Sequence, residues 1–265
     1  MSFWESYVLL AGVVLGAMTL LWALSLLWRD AGIVDIFWGF GFVIFVWGAF
    51  LLTPEGFQPR KLLLSVLVTL WGLRLAGHIF ARNWAKPEDF RYAAWRQEAG
   101  RSWWWRSLFK VFLLQGGILC IVAAPLLAAQ VSAVPVRLTW LDVVAIPLWL
   151  VGFIFEAGGD WQLMRFKAKP SNRGKVLQSG FWRYTRHPNY FGDAVQWWAF
   201  YLIALAGGAW WTVFSPLLMT FLLVRVSGVA MLEKSLKEAK PGYREYIENT
   251  PAFVPWFPKR KNPLV

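Results

Sequence analysis

The chain has little sulfur and little imidazole: one cysteine, Cys120, and two histidines, His78 and His187, among 265 residues. A lone thiol cannot close an internal disulfide, so cysteine usage says nothing about the redox compartment. No metal site is expected. Charge is scarce too, at 16% of residues, against about a quarter in typical soluble domains. Acids are the rarer sign, 15 against 27 lysines and arginines, for a net charge of +12. In a soluble protein such a balance points to nucleic acid. What is abundant is apolar surface: 58% of residues are hydrophobic, with 20 Trp and 21 Phe. That exceeds what one soluble core hides, and it excludes disorder. The basic residues therefore have to be placed on a membrane map first.

A spanning helix needs about 20 mostly apolar residues. Seven stretches meet or approach that length: Trp4–Trp28, Ile33–Leu52, Lys61–Ala81, Ser107–Ala129, Leu138–Phe166, Asn189–Ala206 and Trp210–Leu232. The expected fold is all-α, a polytopic integral membrane protein with seven transmembrane helices. The first stretch is too long for a removable signal peptide and lacks a small-residue cleavage pattern. Only Arg29-Asp30-Ala31-Gly32 separates the first two spans, which predicts a tight hairpin. No internal repeat or low-complexity segment is evident. The chain reads as one membrane domain over 1–265, with a four-helix half (1–135) as substrate side and a three-helix half (136–265) as cofactor side.

Lysine and arginine bias sets orientation. With the N-terminus outside, the cytoplasmic side receives Arg29, the basic residues from Arg82 to Lys110, those from Arg165 to Arg186, and those from Lys234 to Lys261. The outer loops keep Arg60, Lys61 and Arg137. This predicts a cytoplasmic C-terminus in a bacterial inner membrane. The positive charge then belongs to topology and anionic lipid, with no nucleic-acid partner.

Ionisable groups within spans are costly unless they pair or face water, so each is a functional candidate. They are Asp35, Arg74, His78, Glu156, Asp160, Asp193 and Arg225. Arg74 and His78, four apart, share a helical face. An Asp35–Arg74 ion pair fixing helix register is the structural alternative. Glu156, Asp160 and Lys167 lie close to one face, and Gly158-Gly159 lets another group approach the helix backbone. These features describe a polar pocket opening to the cytoplasm.

The densest segment runs Ser179-Gly180-Phe181-Trp182-Arg183-Tyr184-Thr185-Arg186-His187-Pro188-Asn189-Tyr190-Phe191-Gly192-Asp193. Pro188 can open the next helix. Backbone N–H groups at that N-terminus, beside Arg183, Arg186 and His187, make an anion-binding geometry. Asn189, Tyr190 and Asp193 project from the first turn and can hold ribose, adenine or nicotinamide.

Arg186-His187-Pro188-Asn189-Tyr190-Phe191-Gly192-Asp193, then Trp197-Trp198, Glu233-Lys234 and Pro241-Gly242-Tyr243-Arg244-Glu245-Tyr246, resemble the DUF1295 family of steroid 5α-reductase-like membrane proteins. In the front half Asp35-Ile36-Phe37-Trp38-Gly39 and Trp71-Gly72-Leu73-Arg74 carry the same likeness. The His-Pro-Asn-Tyr-x-Gly-Asp stretch is similar to that of sterol C14- and C7-reductases. A shorter form occurs in isoprenylcysteine carboxyl methyltransferases. Reductases using NADPH and methyltransferases using S-adenosylmethionine thus share the motif.

The resemblance implies cofactor contacts at Asp160, Lys167, Asn189, Asp193 and Arg225. Glu156 stands at an asparagine position, and Glu233 at a tyrosine position where it follows the DUF1295 pattern. Tyr184, Arg186, His187, Tyr190, Tyr243, Arg244 and Tyr246 are further cofactor-side candidates. The 5α-reductases polarise the substrate carbonyl with a glutamate on the second span and a tyrosine on the third. Asp35 matches the former; the third span has no tyrosine, so His78 or Arg74 has to replace it.

Three functions follow. The first is an NADPH-dependent reductase of an activated carbon–carbon double bond in a lipophilic, steroid- or isoprenoid-like small molecule. Its phosphates would lie against Arg173, Lys175, Arg183 and Arg186, with Asp35, His78 and Arg74 as catalytic candidates. The second is an S-adenosylmethionine-dependent methyltransferase of a lipid-like substrate, whose sulfonium suits carboxylates and tryptophans. The third is a lipid-binding or assembly protein without catalysis. Trp103-Trp104-Trp105 reads as an interfacial belt.

Overall fold

The computed structural model describes residues 1–226, 229, 233 and 242–258. Its regular secondary structure is helical, with no strand among the described residues. The helices are α1 (Phe3–Trp28), α2 (Ile33–Leu52), α3 (Gln58–Asn83), α4 (Phe90–Ala99), α5 (Trp103–Ser107), α6 (Leu114–Val122), α7 (Ala124–Val131), α8 (Trp140–Ala168), α9 (Pro188–Ala206), α10 (Phe214–Phe221) and α11 (Tyr243–Asn249). A π-helical turn, Leu108–Leu113, joins α5 to α6, and another, Leu222–Val226, follows α10.

Local chemistry sets the ends. Ser2 and Glu5 exchange backbone-to-side-chain hydrogen bonds in a capping box that opens α1. Arg29, with φ 55°, closes it. Asp30 then accepts from the Gly32 N–H at 2.8 Å, completing the turn into α2. Pro59 stands in the first turn of α3 and Pro188 opens α9, where a missing N–H costs nothing.

Five stretches are long and apolar enough to cross a membrane: α1, α2, α3, the run Phe90–Val131, and α8. Their positions coincide with the first five expected spans, although the fourth begins earlier, at polar α4. α9 occupies the sixth expected stretch but carries Asn189, Asp193 and Gln196 and is not among the five. The seventh, Trp210–Leu232, is helical through Val226, and its end lies outside the described residues apart from Val229.

The chain divides into two compact units, Met1–Asp142 with Tyr201–Ser215, and Val143–Phe200 with Pro216–Val265. In the first, α2 and α3 cross backbone to backbone: a Cβ on Gly39 would meet the Gly72 carbonyl oxygen at 2.5 Å, and one on Gly72 the Gly39 oxygen at 2.5 Å. Phe42, Phe45 and Trp71 are fully buried around that crossing. In the second, α8 and α9 cross the same way, a Cβ on Gly192 meeting the Gly152 oxygen at 2.4 Å.

Arg60 and Lys61 depart from expectation. Instead of lying in an outer loop they belong to the first turn of α3, and both are buried. The Arg60 guanidinium donates to both carboxylate oxygens of Asp142, at 2.9 and 3.1 Å, and to the Arg137 carbonyl. Lys61 donates to the carbonyls of Phe50 and Thr53, satisfying the end of α2.

Candidate functional site

Each unit holds its own polar cluster. In the first, Asp35 lies one turn before Gly39 on α2. Its Oδ1 accepts a 2.6 Å hydrogen bond from the Tyr92 hydroxyl and its Oδ2 accepts one at 3.1 Å from Arg91. Both donors come from α4. Gln115 of α6 donates to the Tyr92 oxygen at 3.2 Å. Asp89 caps α4 by accepting from the Arg91 N–H, and also grips the Arg91 guanidinium. Burial alone would raise the Asp89 carboxyl; its bonds to Arg91 outweigh that and hold it below the usual carboxylate range. Glu88 pairs with Arg96 at 2.7 Å and accepts from the Ala31 N–H at 2.7 Å. Thus α4 is clamped to the α1–α2 turn, and Tyr92 is 3% exposed.

Asp35 does not pair with Arg74; Arg91 takes that place. Arg74 and His78 are half-buried on α3, and neither is among the partners of Asp35. Sequence reasoning missed Arg91 and Tyr92 because they fall in a segment read as a loop. The available signal was Asp89-Phe90-Arg91-Tyr92, an N-cap residue opening a short helix.

The second cluster is built on the α8–α9 crossing. Gly158 admits the ring of Phe181, whose Cε2 would sit 2.4 Å from an added Cβ, and Gly159 admits Pro188. The loop before α9 is further pinned to α8 by the Trp182 indole donating to the Gly159 carbonyl and the Phe181 N–H donating to Gln162. Gly180, at φ +62°, makes the turn that permits this. Along the crossing Asn189 donates to Asp160 at 3.0 Å, and Gln196 donates to Glu156 at 2.6 Å. Glu156, Asp160 and Asp193 are buried. The remaining amide oxygens, Asn189 Oδ1 and Gln196 Oε1, are buried acceptors with no donor among the described residues. Gln196 also escaped notice in the sequence, although it lies three residues beyond Asp193, on the same helical face.

Arg186 is not laid open to an anion. It is 7% exposed, donating to Glu233 at 2.7 Å and to the carbonyls of Ile247 and Thr250. His187 contacts the same Glu233 oxygen at 3.3 Å and stacks on Tyr190. Burial alone would raise Glu233; the bonds from His187 and Arg186 outweigh it and hold the carboxyl at about 2. The Tyr246 hydroxyl donates to the Trp182 carbonyl, and Thr185 donates to Phe253. Tyr243 is buried beside Tyr246, its phenol pushed up to about 12 by burial. These contacts dock the α11 segment onto the motif loop. Lys167, Arg173, Lys175, Arg183, Arg225 and Arg244 are exposed, and Tyr184 is 37% exposed. Of these, Arg225 makes no hydrogen bond or ion pair with Asp160, Asn189 or Asp193. Lys234 and Pro241 lie outside the described residues.

The family model for DUF1295, a protein family of unknown function, matches residues 21–250. The chain belongs to the DUF1295 family. An uncharacterised protein of Schizosaccharomyces pombe is 26% identical over 276 aligned positions, which take in 93% of this chain and 78% of the yeast protein. No solved structure matches. The DUF1295 match takes in both polar clusters, Asp35 with Tyr92 and the one at the α8–α9 crossing.

Proposed function

We propose that this DUF1295 protein is an NADPH-dependent reductase of an activated carbon–carbon double bond in a lipophilic substrate. The observation that carries the reading is the 2.6 Å bond between the buried Tyr92 phenol and the half-buried Asp35 carboxylate. Tyr92 supplies the hydroxyl that the third span lacks, in place of His78 or Arg74. A phenol O–H turned toward an enone oxygen stabilises the oxyanion developing there. One such donor in a dry site contributes about 3–4 kcal/mol. Asp35 and Gln115 hold the phenol, and the Arg91 guanidinium, 5.4 Å from the ring centroid, stabilises negative charge on it. What bound NADPH supplies is a hydride to the β-carbon; the protein supplies the proton.

The polar groups along the α8–α9 crossing suit such a cofactor. Two buried amide oxygens with no donor among the described residues, on Asn189 and Gln196, suit carboxamide N–H and ribose hydroxyl groups. The exposed cations Lys167, Arg173, Lys175 and Arg183 suit phosphates, with Arg186 serving instead to hold the loop. The reading includes seven spans, an outside N-terminus, a cytoplasmic C-terminus in a bacterial inner membrane, and kinship with the steroid 5α-reductase-like proteins. Support for that orientation comes from the lysine and arginine distribution.

One observation favours the methyltransferase alternative. Glu156, Asp160 and Asp193 gather three buried acids at the α8–α9 crossing, which suits the sulfonium of S-adenosylmethionine. Thermal-shift titration of the detergent-purified protein separates the two. The reductase reading expects stabilisation by NADPH, lost in Asn189→Ala and reduced in Arg183→Ala. Stabilisation by S-adenosylmethionine alone would overturn it.

A further inference from the structure

The first unit holds a cavity of about 330 Å³ lined by Trp95, Glu98, Trp103, Trp105, Arg106 and Lys110, with Ala99 and Phe109 also at its edge. We propose that this cavity seats the phosphodiester headgroup of an anionic glycerophospholipid.

Its walls are indoles, and two of them carry a cation. The Lys110 ammonium stands 4.5 Å from the Trp95 ring centroid and the Arg106 guanidinium 5.6 Å from that of Trp105. Two other basic groups of this segment are already committed, Arg91 to Asp35 and Asp89 and Arg96 to Glu88, while Arg101 lies outside the cavity lining. Arg106 and Lys110 make no ion pair with a described residue, although Glu98 lines the same cavity. Two cations held over aromatic faces, neither in an ion pair with a described carboxylate, are charge-complementary to a phosphate.

Position in the chain points to a lipid source for that phosphate. The cavity lies where charged α4 gives way to the apolar run, the level at which tryptophans collect in membrane proteins. Trp104 and Phe109, at 57% and 60% exposure, present bare rings on the same stretch, a surface for acyl chains. The Leu108–Leu113 π-helical turn carries both Phe109 and Lys110, and a single π turn within an α-helix commonly marks a binding site. Glu98 then has a role that a bare phosphate would not give it. A carboxylate beside the anion accepts hydrogen bonds from headgroup hydroxyls, so a glycerol headgroup fits better than inorganic phosphate.

The experiment is native mass spectrometry and thermal shift on the full chain in detergent, with phosphatidylglycerol, phosphatidylcholine, glycerol 3-phosphate and inorganic phosphate as separate probes. We expect at least fivefold more phosphatidylglycerol than phosphatidylcholine adduct, with a rise in melting temperature. Both should fall to the phosphatidylcholine level in Arg106→Gln/Lys110→Gln, and be kept in Arg101→Gln, an exposed cation outside the cavity lining. Equal adducts for the two lipids, or a preference surviving the double substitution, would overturn the proposal. So would glycerol 3-phosphate or inorganic phosphate stabilising as well as the lipid, which would make it a soluble-anion site. Both substituted side chains are exposed, so folding should survive; if it does not, the wild-type comparison of the four probes decides.

Discussion

The Tyr92 hydroxyl donates to the Asp35 carboxylate across 57 residues of chain, at 2.6 Å. Arg91 and Gln115 brace the two ends of that bond. If the pair acts as one unit on a substrate carbonyl, Tyr92→Phe and Asp35→Asn each lower turnover of a lipophilic enone by about 10²- to 10⁴-fold, the usual worth of positioned proton transfer. The double substitution should then be scarcely worse than either single one. Steady-state rates of NADPH consumption, with nucleotide thermal shifts unchanged, are the check.

The two helix crossings tolerate nothing larger than glycine. Gly192→Ala would set a Cβ 2.4 Å from the Glu156 nitrogen and the Gly152 oxygen, forcing α8 and α9 apart. Overpacking of this kind costs about 1–3 kcal/mol. Gly77→Ala on α3 meets nothing within 4 Å, and should be neutral or stabilising by up to about 1 kcal/mol. Melting temperatures of the two variants, side by side, test the assignment.

Asp142 and Arg60 form an ion pair with both side chains fully buried. Asp142→Ala leaves a guanidinium buried without its partner and should cost about 3–5 kcal/mol. Arg60→Met with Asp142→Leu removes both charges and should cost less than the single change. A double-mutant cycle on detergent stability decides.

Glu233 gives a pH signature. Its carboxyl, held at about 2 in the folded protein against an ordinary 4.5, favours folding in its charged form. That contribution is fully present above pH 4.5, declines as pH falls toward 2, and vanishes below it. The difference in melting temperature between wild type and Glu233→Gln should therefore be largest at neutral pH and shrink between pH 4.5 and 2. A difference that stays constant over this range would contradict the assignment.

Long apolar runs made α1, α2, α3 and α8 legible, because about 20 residues without charge have few alternatives to a buried helix. Asp35 was legible for the complementary reason, as a charge where none belongs. Tyr92 was not. It sits on α4, a ten-residue helix without an apolar run, and its meaning depends on the fold bringing it to Asp35. Gly158-Gly159 announced a close approach and the structure shows what approaches, Phe181 and Pro188. Arg186 illustrates the opposite limit. A basic residue before a helix N-terminus looks alike in sequence whether it faces solvent or interior carbonyls, and here the α11 segment, some 60 residues later, decides. The Arg60–Asp142 pair was hidden for the same reason of distance.

Isotope transfer tests the central claim most directly. Detergent-purified protein would be incubated with a lipophilic enone and either NADPH deuterated at the nicotinamide C4 or S-adenosylmethionine bearing a deuterated methyl group. The reductase account predicts one deuterium at the β-carbon of the product from NADPH, none from S-adenosylmethionine, and loss of the signal in Tyr92→Phe. Deuterated methyl groups in the lipid product, with none from NADPH, would contradict it.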